Sequence, residues 1–184
     1  MAPGAGSAAY RRVYDACYPQ VLAYLVRRVG SQDAADLAAE VFTVAWRRID
    51  DVPSGDGALP WLYGVAYRVV SYHWRARGRR RRLVRRLGSL AEASTPNPEI
   101  AVVRRREYEL VLHAASKLRP KDQEVLRLAV WEELSHDQIA ELLGASVPAV
   151  RQRFHRAKRA LAREFERSGG SIPPSAVAQE GGGQ

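Results

Sequence analysis

Arg151, Gln152, Arg153, His155, Arg156 and Arg159 crowd into nine residues of chain. At 100° per residue, Gln152, His155, Arg156 and Arg159 share one side of a helix, with Arg151 and Arg153 on its flanks. The opposite side carries Val150, Phe154, Ala157 and Leu161, a stripe suited to a core. Arginine forks and glutamine amides match the donor and acceptor pattern of base edges, and arginine and lysine match phosphates. A solvated surface helix is the bland alternative. Such helices mix both signs of charge, whereas this face has no acid before Glu164. The chemistry indicated is binding to duplex DNA, without indicating which sequence.

A second concentration of chemistry runs from Trp61 to Arg86. Tyr67, Arg68, Ser71, Tyr72, His73, Trp74 and Arg75 interleave rings with cations, and Arg77, Arg79, Arg80, Arg81, Arg82, Arg85 and Arg86 follow. A run this basic repels itself unless it meets phosphates, and neighbouring rings can stack on unpaired bases. Trp61 has a plainer reading as a core anchor. A third set, Asp36, Glu40, Thr43 and Arg47, forms a narrow polar stripe between two apolar ones: Leu37, Val41, Val44 and Ala38, Phe42, Trp46, Ile49. Two apolar stripes imply packing on two sides. The polar stripe is then either a solvated, charge-supported face or a docking surface.

The elements that must hold these residues are helical. Ser135 with Gln138 three residues later makes a capping box, and Ile139, Leu142 and Leu143 follow as an apolar face. Gly144 falls at the C-cap. Ser146 caps the next helix, with Pro148 in its first turn. Ala140, Gly144 and Val150 occupy the small, turn and β-branched positions of a helix-turn-helix. Upstream, a helix from Tyr10 to Val29 is kinked or split at Pro19. Gly30 ends it, Ser31 caps a helix over 33–49, 50–59 is a loop, and Pro60 opens a third helix. Further helices span 99–118, with Val103, Tyr108, Val111, Leu112 and Ala115 inward, and 120–131.

The 184 residues carry a formal charge of +9, which favours a polyanionic partner. No apolar run is long enough to span a bilayer, and the N-terminus lacks the features of a signal peptide, so a cytoplasmic location is expected. Cys17 is the single cysteine and reads as a buried thiol, incapable of an internal disulfide. The scattered histidines have no metal-ligand spacing. No metal, cofactor or catalytic residue is expected. No strand is visible, so the fold class is all-α: two small bundles on a flexible linker. The boundaries read as a disordered tail at 1–9, a bundle at 10–86, a linker at 87–100, a bundle at 101–167 and a disordered tail at 168–184.

Together these segments resemble an extracytoplasmic-function sigma factor of the bacterial sigma-70 type. The marks are "DAADLAAEVFTVAWRRID" from Asp33, "LPWLYGVA" from Leu59 and "LRPKDQEVLRLAVWEELSHDQIAELLGASVPAVRQRFHRAKRAL" from Leu118. The resemblance implies sigma domains two and four, and a subunit without an active site that directs promoter-specific initiation. It assigns Asp36, Glu40, Thr43 and Arg47 to the clamp helices of the polymerase β′ subunit, the β subunit being a further contact. It assigns Trp61, Tyr67, Arg68, Ser71, Trp74 and Arg75 to the minus-ten element. It places Arg151, Gln152, His155 and Arg156 at the contact positions for the minus-35 element, to which Arg153 and Arg159 are added from the same helix, and the segment after Arg82 on the path toward the RNA exit channel. The implied partners are polymerase core and promoter DNA, double- and single-stranded; an anti-sigma protein is common in the family. This chain departs from the usual pattern at Tyr67-Arg68, where Arg-Asn is usual, and at Pro148-Ala149, where Gly-Thr is frequent.

Two other readings compete. An activator with a response-regulator-type helix-turn-helix needs a receiver domain with acidic strand ends, and no strand is seen. A recombinase-like DNA enzyme needs a nucleophile among converging cations. Ser71 is the only serine near the arginines, and a helical serine there reads more simply as surface.

Overall fold

A computed structural model of the chain describes residues 5–86 and 102–169. It divides into two compact units, Met1–Asn97 and Pro98–Gln184. Every regular element among the described residues is helical. The linker at 87–100 and the tail from 170 on lie outside the described residues. So do the side chains of Arg80, Arg81, Arg82, Arg85, Arg86, Val103 and Tyr108.

The first unit packs α1 (Ala5–Val29), α2 (Ser31–Arg47) and α3 (Ala58–Arg86) against one another in all three pairs. Val21, Tyr24, Leu25, Val41, Phe42 and Leu62 are fully buried between them, and each of the five apolar side chains among them, taken from water, contributes roughly 1.5–3 kcal/mol. Tyr24 and Tyr63 stack with ring centroids 5.1 Å apart. Cys17 is buried and free, and burial raises its thiol pKa.

Several local expectations change. α1 starts at Ala5, inside the stretch read as a tail. It runs unbroken through Pro19, which sits at an exposed position. Gly30, at φ 83°, is the N-cap of α2, so Ser31 is its first helical residue rather than its cap. The 50–59 loop contains two short 3-10 turns, Ile49–Asp51 and Gly55–Gly57, and α3 begins before Pro60. A side chain at Gly57 would meet Pro53 Cβ at 2.8 Å, so any larger residue there forces the loop to shift.

The second apolar stripe of α2 does not stay covered. Phe42 is buried but Trp46 is 51% exposed, because the aromatic row of α1 ends beside it. Tyr10 meets the Trp46 ring edge-on at 5.0 Å, and Tyr14 and Tyr18 line up behind it on Phe42.

The second unit contains α4 (Val102–Ser116), α5 (Pro120–Val130), α6 (His136–Leu143) and α7 (Val147–Arg167). α7 is its central element, packed by the other three. Val150 and Ala157 are fully buried, and Leu118, Leu126 and Ala157 form a cluster against which Phe154, Ala160 and Leu161 pack. Leu112, read as inward, is exposed, whereas Ala115 is buried.

Candidate nucleic-acid interface

The α6–α7 pair is built by contiguous signals. Ser135 N–H donates to Gln138 Oε1 at 2.9 Å, and Gln138 N–H donates back to Ser135 Oγ at 3.2 Å. These two bonds satisfy donors that a helix start leaves unpaired. Gly144 takes the left-handed conformation at φ 59° and ends α6. Two residues later Ser146 Oγ accepts from Ala149 N–H and starts α7, with Pro148 in the first turn. The result is a helix-turn-helix whose second helix buries one stripe.

The opposite side of α7 is open. Arg151, Gln152, His155, Arg156 and Arg159 are exposed and Arg153 is half-buried. Gln152, His155, Arg156 and Arg159 border one surface concavity. Lys158 lies along the flank, its Nζ 5.2 Å from the Phe154 ring centroid.

One member of this set has a partner that inspection of α7 alone does not reveal. Arg156 Nε donates to Asp122 Oδ2 at 2.9 Å, and its NH2 donates to Oδ1 at 2.6 Å. Asp122 stands in the first turn of α5 and is 4% exposed. The Arg156 hydrogen bond lowers its carboxyl pKa below the ordinary range. Burial opposes that shift, and the charges of Arg156, Arg119 and Arg153 reinforce it. The basic face of α7 therefore rests on a buried anion from a different helix.

In the first unit, α3 carries two faces. Leu62, Tyr63, Val65, Ala66 and Val70 are buried. Turned away from them, Arg68, Trp74 and Arg75 are exposed, and Trp61, Tyr67 and Ser71 are half-buried. Trp61 is thus a rim residue rather than a core anchor, with the Arg48 guanidinium 5.8 Å from its ring centroid. Trp74, 45% exposed, is flanked by the His73 ring edge-on at 5.7 Å and the Arg77 guanidinium at 5.8 Å. Arg75 Nε donates to Ser71 O at 3.0 Å, within the helix.

The start of α2 anchors this segment. Arg77 NH1 donates to Asp33 Oδ2 at 2.6 Å, and His73 Nε2 lies 3.4 Å from the same oxygen. Asp36, Glu40, Thr43 and Arg47 all lie exposed on α2, at spacings that place them on one face. Thr43 Oγ1 donates to Ala39 O at 2.7 Å.

The sequence matches the Sigma-70 region 2 family over residues 13–80 and the Sigma-70 region 4 family over residues 108–161. It is 31% identical to the RNA polymerase sigma-H factor of Pseudomonas aeruginosa over 152 residues, covering 77% of this chain and 78% of that one. The chain belongs to the extracytoplasmic-function group of the sigma-70 family. Its relatives include the RNA polymerase sigma factor YlaC of Bacillus subtilis, 28% identical over 85% of this chain and 91% of that one. The sigma factor RpoE of Bartonella quintana, solved with the anti-sigma factor NepR, shares the fold. Its TM-score is 0.65 at 18% identity, over 85% of this chain and 96% of that one. Membership in this group implies promoter-specific transcription initiation. No helix among the described residues is long and apolar enough to cross a membrane.

Proposed function

We propose that this chain binds RNA polymerase core and directs it to promoters, with α7 reading the minus-35 element and the exposed face of α3 engaging the minus-ten element. One observation carries the reading: two separate helical units of the same chain each leave a basic face uncovered, and the two faces differ in kind. The α7 face is arginine and glutamine beside a helix-turn-helix, which suits base edges in a major groove. The α3 face mixes tryptophan and tyrosine with arginine, which suits bases leaving the stack.

Polymerase core binds DNA without choosing a sequence, so base contacts must come from an added subunit. Two modest readers on one chain achieve this through effective concentration, because either bound unit holds the other near its site. The exposed stripe of Asp36, Glu40, Thr43 and Arg47 is the surface for the β′ clamp helices. The chain needs no active site of its own for this role. An anti-sigma protein is the regulatory partner that the reading adds.

The test is reconstitution. The purified chain is added to core polymerase lacking sigma, and transcription is measured on a library of promoters. Transcription from a defined subset with paired minus-35 and minus-ten elements is expected. A chain that binds DNA but neither associates with core nor starts transcription is instead an activator.

A further inference from the structure

We infer that Asp122 is a positioning residue for base reading: it holds the guanidinium of Arg156 by one edge so that the other edge is presented to a guanine. The inference deepens the minus-35 reading and rests on it. A guanidinium has five N–H donors in a rigid plane. Asp122 engages Nε and NH2 at 2.9 and 2.6 Å, a bidentate pairing along the side of the fork. The NH1 hydrogens and the outer NH2 hydrogen point away from the carboxylate. That outer edge has the same two-donor spacing and fits the O6 and N7 acceptors of guanine. The exposure of the two partners agrees, since the Arg156 side chain is 43% exposed while that of Asp122 is 6% exposed.

The pairing also deals with a loss that an unsupported arginine would incur. A long side chain gives up rotamer freedom when it docks, and holding it beforehand removes much of that loss. Asp122 is well placed to do so. It is buried, it sits in the first turn of α5, where the helix dipole favours an anion, and it belongs to a different helix from the residue it aims. Arg151 and Arg159 have no such support among the described hydrogen bonds.

The experiment uses the full chain in complex with polymerase core. Affinity is measured for promoter duplexes in which each minus-35 base pair is varied singly. Arg156→Ala is expected to lower discrimination at one guanine position by roughly 5- to 150-fold, the range of a bidentate contact. Asp122→Asn is expected to lower discrimination at that same position, with no loss of affinity for non-specific DNA, because it removes a negative charge from the basic face. In the Arg156→Ala background, Asp122→Asn is expected to add nothing. Uniform weakening of all promoters by Asp122→Asn, or an undiminished effect in the double variant, overturns the inference. Should Asp122→Asn not fold, Asp122→Glu keeps the charge and displaces the fork. Loss of preference at the same position then supports the inference, and an unchanged preference overturns it. If Arg156→Ala is selective but both Asp122 variants are silent, base reading stands and positioning falls. If Arg156→Ala shows no positional preference, base reading by Arg156 falls and the inference with it.

Discussion

Asp33, near the start of α2, accepts a 2.6 Å hydrogen bond from Arg77 of α3, and the two lie 44 residues apart in the chain. The same carboxylate oxygen lies 3.4 Å from His73 Nε2. Arg77, whose guanidinium lies by the Trp74 ring, is thus tied to an acid on a different helix, and His73, edge-on to the same ring, lies close to that acid without a hydrogen bond to it. Asp33 thereby orients the part of α3 that leads into the arginine run.

Asp33→Asn should loosen that connection. The pair is about one-third exposed, which limits the loss of stability to ~0.5–1 kcal/mol. Urea denaturation of the variant, with Arg77→Gln and the double variant completing a cycle, measures it. Full additivity of the two single changes would mean that the pair contributes nothing.

Asp36→Ala with Glu40→Ala should weaken association with polymerase core by roughly ten- to thirtyfold and leave the fold unchanged. Both side chains are exposed and the buried face of α2 is untouched. Helical circular dichroism and a titration of core against labelled chain check the two halves. Unaltered core affinity in the folded double variant removes the stripe from the docking surface.

Trp74→Ala should lower open-complex formation more than core binding, since stacking of a base on an aromatic ring is worth about 1–3 kcal/mol. Arg75→Ala should do the same more weakly, its Nε being already engaged by Ser71 O. Permanganate reactivity of the minus-ten thymines reports melting. Equal reactivity with Trp74→Ala would leave the ring as a surface residue without a base partner.

Acid should selectively undo the Asp122–Arg156 pair. The folded-state pKa of Asp122 lies below its ordinary value of 3.8. The stability that the pair contributes is thus fully present above the ordinary value and is lost as pH falls through the folded value. Asp122→Asn resembles the protonated acid in shape. The variant should therefore be less stable than the parent at pH 7, and the two curves should converge in strong acid. Thermal melts of both proteins from pH 7 downward decide it, and a stability gap that persists unchanged in strong acid would remove the ionic account.

What was legible in the chain and what was not divides by sequence distance. The capping box at Ser135 and Gln138, the Gly144 stop and the Ser146 cap each lie within one helical turn of their partners, so residue type alone located them. The polar stripe on α2 and the open face of α7 followed from helical periodicity. The two acids that organise the site did not. Asp122 and Arg156 are 34 residues apart, and one sequence carries no signal of which acid meets which arginine. Periodicity also says which way Trp46 and Leu112 face, but not whether a neighbouring element extends far enough to cover them. The split at Pro19 does not occur, because a proline costs a helix one backbone bond, which the packing of α1 against α2 and α3 outweighs.

Arg159 should behave as a phosphate anchor, unlike Arg156. It is exposed and lies one turn further along α7, beyond the Arg156–Asp122 pair, and nothing described fixes the orientation of its fork. A charged group of this kind anchors the backbone of any duplex. Arg159→Ala with Lys158→Ala should therefore weaken binding to every minus-35 variant by the same factor. It should also reduce the slope of log affinity against log salt by about 1 for each phosphate that the variant no longer neutralises. Lys158 adds less, because its ammonium already lies against the Phe154 ring. Affinities for matched and mismatched duplexes at several salt concentrations separate the two roles. A weakening confined to particular base pairs, with the salt slope unchanged, would make Arg159 a base reader instead.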